Sequence, residues 1–267
     1  MLEDYNGSKS LPDVDTVDNS GDNVKTLVLK AILMAFLAFP MPCSASHLFG
    51  DVAQFGDQGN IRAFAKDIGG IIGSGTYLTG RILGFAGFAA GFQYAYQFRP
   101  DAQNQVLKRS GIEPFGFPWF QAEIGLPLKF DGFIRGFSYE GMTMAGGGLR
   151  YGIFTVTDLP GAPQALLALD GESFVHTAFS GSHFGANAVL SVTFPYFKPY
   201  VGGGLDRTRF IVKQSADPTL LDQVILAYGS RFSAGVSMNP FPFTFVNVAY
   251  VHRHGDPGLQ VGGGARF

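Results

Sequence analysis

The sequence predicts an all-β protein, an antiparallel transmembrane β-barrel of about ten strands (8–12) behind a short N-terminal amphipathic helix. Three observations carry this expectation. Charged residues make up 15% of the 267 residues and aromatics 14%, against roughly 25% charged in ordinary soluble domains. Mean hydropathy is +0.15, yet no apolar run reaches the roughly 18 residues that a spanning helix needs. From about residue 82 onward the chain alternates apolar and polar residues in segments broken by turn residues, the two-residue period of strands.

Residues 1–45 are expected to lie outside the fold. "KTLVLKAILMAFLAFPMPCSAS" (25–46) has two lysines, an apolar stretch, two prolines and small residues near Ala45, the three-part pattern of a secretory signal peptide. Residues 1–24 are acidic and polar, a poor lead-in for translocation, so Val24 is an alternative start. Cys43 is the single cysteine, which excludes an intramolecular disulfide framework and a thiolate metal cluster. Residues 46–80 form a helical, Gly-rich segment. Within it Ile61, Phe64, Ala65, Ile68 and Ile72 keep helical spacing. Because this segment precedes the first strand, it is expected to begin on the periplasmic side, as a lumenal plug or a helix at that mouth.

Residues 81–267 then hold the barrel. The first dyad segment sets Phe88, Phe92, Tyr94, Tyr96 and Phe98 against Gln93 and Gln97, and the second sets Phe120, Ile124 and Leu126 against Gln121 and Glu123. Continuing the alternation gives strands near 82–98, 119–129, 132–140, 144–155, 164–177, 183–194, 199–212, 228–239, 243–253 and 258–267. The predicted lumenal face carries Gln93, Gln97, Gln121, Glu123, Arg150, Asp170, Glu172, Asn187, Asp206, Arg231, Asn247, Gln260 and Arg266. Two segments strain the pattern. Arg135 shares a face with Phe133 and Phe137, and Arg207 and Arg209 share one with Leu205; a membrane rim or a bulge would accommodate them. The long connections, around 99–118 and 213–227, fall on one side, which places both chain ends on the other, periplasmic side.

A soluble sandwich also alternates, but its outward face is charged. Here one face is aromatic and aliphatic and the other is Gly, Ser, Gln and Asn, as expected of a lipid-facing band around a polar lumen, with closure removing the open edges. The terminal "LQVGGGARF" resembles the C-terminal assembly signal of bacterial outer-membrane β-barrel proteins, with Phe267 last and Ala265 where an aromatic or large residue is usual. "TGRILGFAGFAAG", "PWFQAEIGLPLKFDGFIRG" and "AGGGLRYG" are similar to segments of an uncharacterised outer-membrane barrel family. The resemblance implies an outer-membrane location, lipid as surroundings and assembly by the barrel assembly machinery, with no catalytic or ligand residues to carry over.

Chemistry is thinly signalled. Ser180 or Ser182 with His176 or His183 could form a serine–histidine pair of a surface acyl hydrolase. His252, His254 and Asp256 in "HRHGDPG" could share a metal, although "GDPG" reads more simply as a turn. No glycine run opens a helix or precedes Lys-Ser/Thr, so none is a phosphate loop. Net charge is −2 and the basic residues are scattered, which excludes a nucleic-acid track; no cofactor is expected. The functional expectation is a narrow channel, transporter or structural barrel. The alternatives are the hydrolase, or an adhesion or binding barrel acting through its outer loops. Oligomeric state stays open.

Overall fold

The computed structural model describes residues 48–55, 57–154 and 160–267. The signal-peptide reading, Cys43 and the alternative start at Val24 lie outside them. Ten antiparallel strands close an up-and-down barrel in which each strand pairs with its sequence neighbours and the first with the last. They are β1 (Phe88–Gln97), β2 (Phe115–Gly125), β3 (Phe130–Tyr139), β4 (Met142–Gly152), β5 (Pro163–Val175), β6 (Phe179–Val192), β7 (Phe197–Val212), β8 (Val224–Met238), β9 (Thr244–Arg253) and β10 (Asp256–Arg266). Among the described residues, three α-helices and a single 3-10 turn (Pro218–Leu220) accompany them: α1 (Val52–Phe55), α2 (Gln58–Ile72) and α3 (Gln105–Arg109).

Two boundaries differ from the sequence expectation. β1 starts at Phe88 and not near 82, because Gly84 and Ala86 take positive φ angles and turn the chain into the barrel wall. β2 starts at Phe115, four residues early. Phe115 and Phe117 both point inward onto an apolar cluster, so the chemical alternation that marks a strand is missing there although the strand is present.

The outer wall is apolar. Phe120 and Leu205 are each 70% exposed, and Ile134, Leu169, Phe184, Leu190 and Val248 join them. An exposed belt of this extent, around a polar interior and with no open sheet edge, is the arrangement of a barrel that spans a bilayer. The seam closes through Phe88 N–H to Phe267 C=O at 2.9 Å and Phe267 N–H to Phe88 C=O at 2.7 Å. The Phe267 ring stacks on Phe243 at 5.8 Å. Deleting Phe267 removes both bonds and that stack. We expect a loss of roughly 1–3 kcal/mol and a lower folded fraction, read as heat-modifiable gel migration of membrane-extracted protein. An unchanged folded fraction would separate Phe267 from folding.

The two mouths differ. One carries the connections 98–114 and 213–223 together with the tight turns at 140–141, 176–178 and 254–255; we call it the loop mouth. The other carries the start of β1 and Phe267.

The filled lumen as candidate functional site

The segment before β1 runs through the barrel from one mouth to the other. Contrary to the expectation that it begins beside the start of β1, its first described residues sit at the loop mouth. The ring of Phe49 lies 5.8 Å from that of Phe117, 5.3 Å from His176 and 5.4 Å from Phe179. Ala216 N–H donates to Ala53 C=O at 2.7 Å. Position before β1 in sequence does not set the mouth at which the segment starts, because about ten extended residues span the wall height.

Asp57 caps α2, its carboxylate accepting from Asn60 N–H at 2.8 Å, which satisfies an orphan donor of the first turn. The helix is amphipathic in sequence but buried nearly all round. Ile61, Phe64, Ile68, Ile71 and Ile72 pack into an apolar cluster with Phe49, Phe117, Phe179 and Phe210. Burial of each such side chain contributes about 1.5–3 kcal/mol, so this collar anchors the upper half of the plug. At the rim, Asp67 accepts from Gln97 Nε2 at 2.9 Å, Asn104 Nδ2 at 2.7 Å and Asp101 N–H at 2.9 Å. Lys66 pairs with Asp101 at 3.2 Å. Burial pushes the Asp101 carboxyl up, but the Gln103 N–H and the Lys66 ammonium outweigh it and hold it below its ordinary value.

Below Ile72 the plug loses helical structure, and its backbone must find partners on the wall. It finds cations and an amide. Arg135 Nη1 donates to Ser74 C=O at 2.6 Å, Arg150 Nε to Thr76 C=O at 2.6 Å and Asn247 Nδ2 to Leu78 C=O at 3.3 Å. Tyr77 OH lies 2.7 Å from Ser233 Oγ. The Tyr77 ring occupies the space where a Cβ on Gly202 would sit, so a glycine is needed there. Leu83 N–H reaches Asp131 at 2.8 Å near the far mouth.

The same arginines are charge-matched by the wall. Arg150 grips Glu123 with both terminal nitrogens, at 2.7 and 3.0 Å. Arg135 holds Glu172 through Nε at 2.8 Å and Nη2 at 2.5 Å. Arg231 contacts Asp206 at 3.2 Å and Asn187 at 2.8 Å, and Asn187 in turn donates to Asp170 at 3.0 Å. The Arg150–Glu123 contact is bidentate, while both Arg135 nitrogens meet the same Glu172 oxygen; charge-assisted contacts are the strong ones. Of the other residues predicted to face the lumen, Gln93, Gln97, Gln121, Asn247 and Gln260 are buried inside, and Arg266 is partly buried with its guanidinium over Phe245.

The sequence reading left out Arg135, Arg253, Thr208 and Asp131, all buried and inward. Arg135 needs neither rim nor bulge. β3 is regular, and Phe133 and Phe137 also face inward, with Phe133 beneath the guanidinia of Arg135 and Arg150. The usable signal was phase, since Arg135 is four residues from Asp131 on the same strand. Arg207 and Arg209 do point outward, Arg207 level with the exposed Phe184.

The candidate catalytic groups do not converge. On β6 Ser180 and Ser182 lie on the outward face and His183 on the inward face, so the wall separates them. His183 instead meets the Thr208 hydroxyl, Nδ1 to Oγ1 at 3.0 Å. His176 sits in the β5–β6 turn against Phe49 and Phe179. The metal candidates also part: His252 is exposed on the outer face, His254 turns inward at the tight turn beside Gly70, and Asp256 faces Arg99 at 3.5 Å. Burial holds the His254 imidazole down to about 4, so it is neutral at pH 7. Asp170, Glu172 and His183 each bring one ligand atom within 4.8 Å of the others. Arg135 lies beside both carboxylates, which makes this an ion-pair cluster already supplied with positive charge.

A cavity between plug and wall, lined by Tyr77, Thr79, Glu123, Arg150 and Arg266, has about 10 Å³, room for at most a single water. What this arrangement can do is hold a lumen shut.

No protein-family model and no curated protein matches the chain. Among solved structures it is similar to the N-terminal β-barrel domain of Pseudomonas aeruginosa OprF, at 15% identity over 67% of this chain and 97% of that one, with a TM-score of 0.34. It is also similar to the translocator domain of the autotransporter NalP from Neisseria meningitidis, at 13% identity over 71% and 91%, TM-score 0.33. A third is Neisserial surface protein A, at 14% identity over 67% and 95%, TM-score 0.28.

Proposed function

We propose that this protein is a bacterial outer-membrane β-barrel occluded by its own N-terminal segment, which acts as a structural or surface-binding barrel through its loop mouth and not as an open channel. The observation that carries the reading is the plug. Residues 58–83 cross the lumen, and arginines that are themselves ion-paired hold the plug's backbone. Opening a path would take from Arg135, Arg150 and Asn247 the carbonyl acceptors at Ser74, Thr76 and Leu78 and would uncover the apolar collar around Phe64 and Ile68, with about 1.5–3 kcal/mol for each hydrogen bond lost from a charged group. The apolar outer belt supports the membrane setting. The resemblance of the β10 segment "LQVGGGARF" to an outer-membrane assembly signal supports delivery by the barrel assembly machinery. The two long connections and the segment before α2 share one mouth, which supports that mouth as the contact surface. The acyl-hydrolase alternative has less support, because Ser180 and Ser182 lie on the face of the wall opposite His183 and His176 packs against Phe49 and Phe179.

The test combines conductance with topology. Purified protein in planar bilayers should show no stable conductance steps. In a Cys43→Ser background, Thr219→Cys should react with a membrane-impermeant thiol reagent on intact cells while Tyr196→Cys, in the β6–β7 connection, should not. Steady conductance from the unmodified protein, or labelling of Tyr196→Cys alone, would overturn the proposal.

A further inference from the structure

We infer that Arg207 and Arg209, on the outward face of β7, form a binding site for phosphate groups of lipids in the surrounding leaflet; this rests on the membrane setting proposed above. The two guanidinia project from the barrel wall into its surroundings, two residues apart on one strand face. Neither has a carboxylate or hydrogen-bond partner among the described residues, whereas Arg135, Arg150 and Arg231 inside the barrel are all ion-paired. A bare arginine facing hydrocarbon is costly, and the cost falls toward zero at the headgroups. The pair therefore belongs near headgroup depth, with the exposed Val175 and Val224 one step nearer the loop mouth.

On β6 and β5 the outward face turns from apolar to hydroxyl beside Arg209. The exposed Leu205 and Leu169 are both level with Ala186, and the exposed Phe184 is level with Arg207. One step closer to the loop mouth than Phe184, Arg209 is in register with Ser182, and Ser182 with Ser173. Ser180 follows opposite Ile211. On the other flank Tyr228, 64% exposed, is in register with Arg207, an aromatic at interfacial depth. No acidic side chain occupies the outward face of β6, β7 or β8 at this level. The patch thus offers two planar forks of N–H donors, flanked by hydroxyls, with apolar wall directly below for acyl chains. Guanidinium forks match phosphate oxygens bidentately, and the wall supplies the reason for a lipid and not a free anion.

The test uses the full chain in mixed micelles with equal amounts of phosphatidic acid and phosphatidylcholine, with retained lipid read by native mass spectrometry. The native protein should retain the phosphate monoester lipid by about tenfold over the zwitterionic one. Arg207→Gln with Arg209→Gln should bring that ratio close to parity, and Arg207→Lys with Arg209→Lys should keep part of it. Arg62→Gln, at an exposed position on α2, should leave it unchanged. Both arginines are exposed, so heat-modifiable migration should show every variant folded. An unchanged ratio in the double Gln variant, or no preference in the native protein, would overturn the inference. Loss of the preference on adding equimolar inorganic phosphate would do the same, by showing a site for free anions.

Discussion

Gly73→Leu is expected to unseat the plug. Gly73 ends α2 with φ −67°, a conformation any residue adopts, so the substitution meets no backbone resistance. The obstacle is space. A Cβ at Gly73 would lie 2.6 Å from His183 Nε2 and 2.9 Å from Asp206 Oδ1, and against the Arg231 guanidinium as well. A leucine adds three more carbons in the same direction. Both partners are committed, Arg231 to Asp206 and Asn187 and His183 to Thr208, so making room means breaking buried polar contacts. We expect a loss of about 3 kcal/mol, at the upper end of overpacking costs because polar contacts are lost too. It should be seen as a lower urea midpoint in detergent. Conductance steps should accompany it in bilayers where the native protein is silent. A Gly73→Leu protein as stable and as silent as the native one would mean that the plug does not pass this close to the wall.

The second large effect is expected from Arg135→Ala. Removing this guanidinium leaves Glu172 without its partner, Asp170 without the guanidinium 3.6 Å away and the Ser74 carbonyl without its donor. Breaking a buried ion pair from one side costs about 3–5 kcal/mol, because the remaining charge stays buried. Changing both sides is a different experiment. Arg135→Met with Glu172→Gln removes both charges while keeping volume, and should recover most of the lost stability. Double-mutant analysis of urea unfolding would then show strong coupling between the two positions. Additive losses would mean that the pair is not coupled in the folded protein. Arg135 holds Ser74, next to Gly73, so each variant should also weaken protection of the plug backbone against hydrogen exchange.

Both predictions depend on features that were unequally visible in the amino-acid order. The strand number, the alternation in β1, β4, β6, β8 and β10 and the lumenal burial of Glu123, Arg150 and Asp206 follow from a period of two, because each strand has one side in an apolar surrounding and the other in a polar one. Where that contrast vanishes, the reading fails. Phe115, Phe117, Phe133 and Phe137 face inward against an apolar plug or an arginine face, so an aromatic side chain no longer marks the lipid side. Arg135 was misplaced for that reason alone. The helical spacing of Ile61, Phe64 and Ile68 was visible, but spacing describes one helix and not its surroundings. That α2 enters from the loop mouth, and that its glycines meet His183 and Arg231, arises from contacts between residues more than a hundred positions apart. The histidine and serine groupings failed on a related ground: adjacent residues on a strand point to opposite faces, so closeness in sequence separated Ser182 from His183. What the sequence by itself determined is the wall, through local alternation. What only the tertiary structure decided is that the wall is filled, because filling rests on long-range charge pairing and close backbone approach, which leave no periodic trace in the chain.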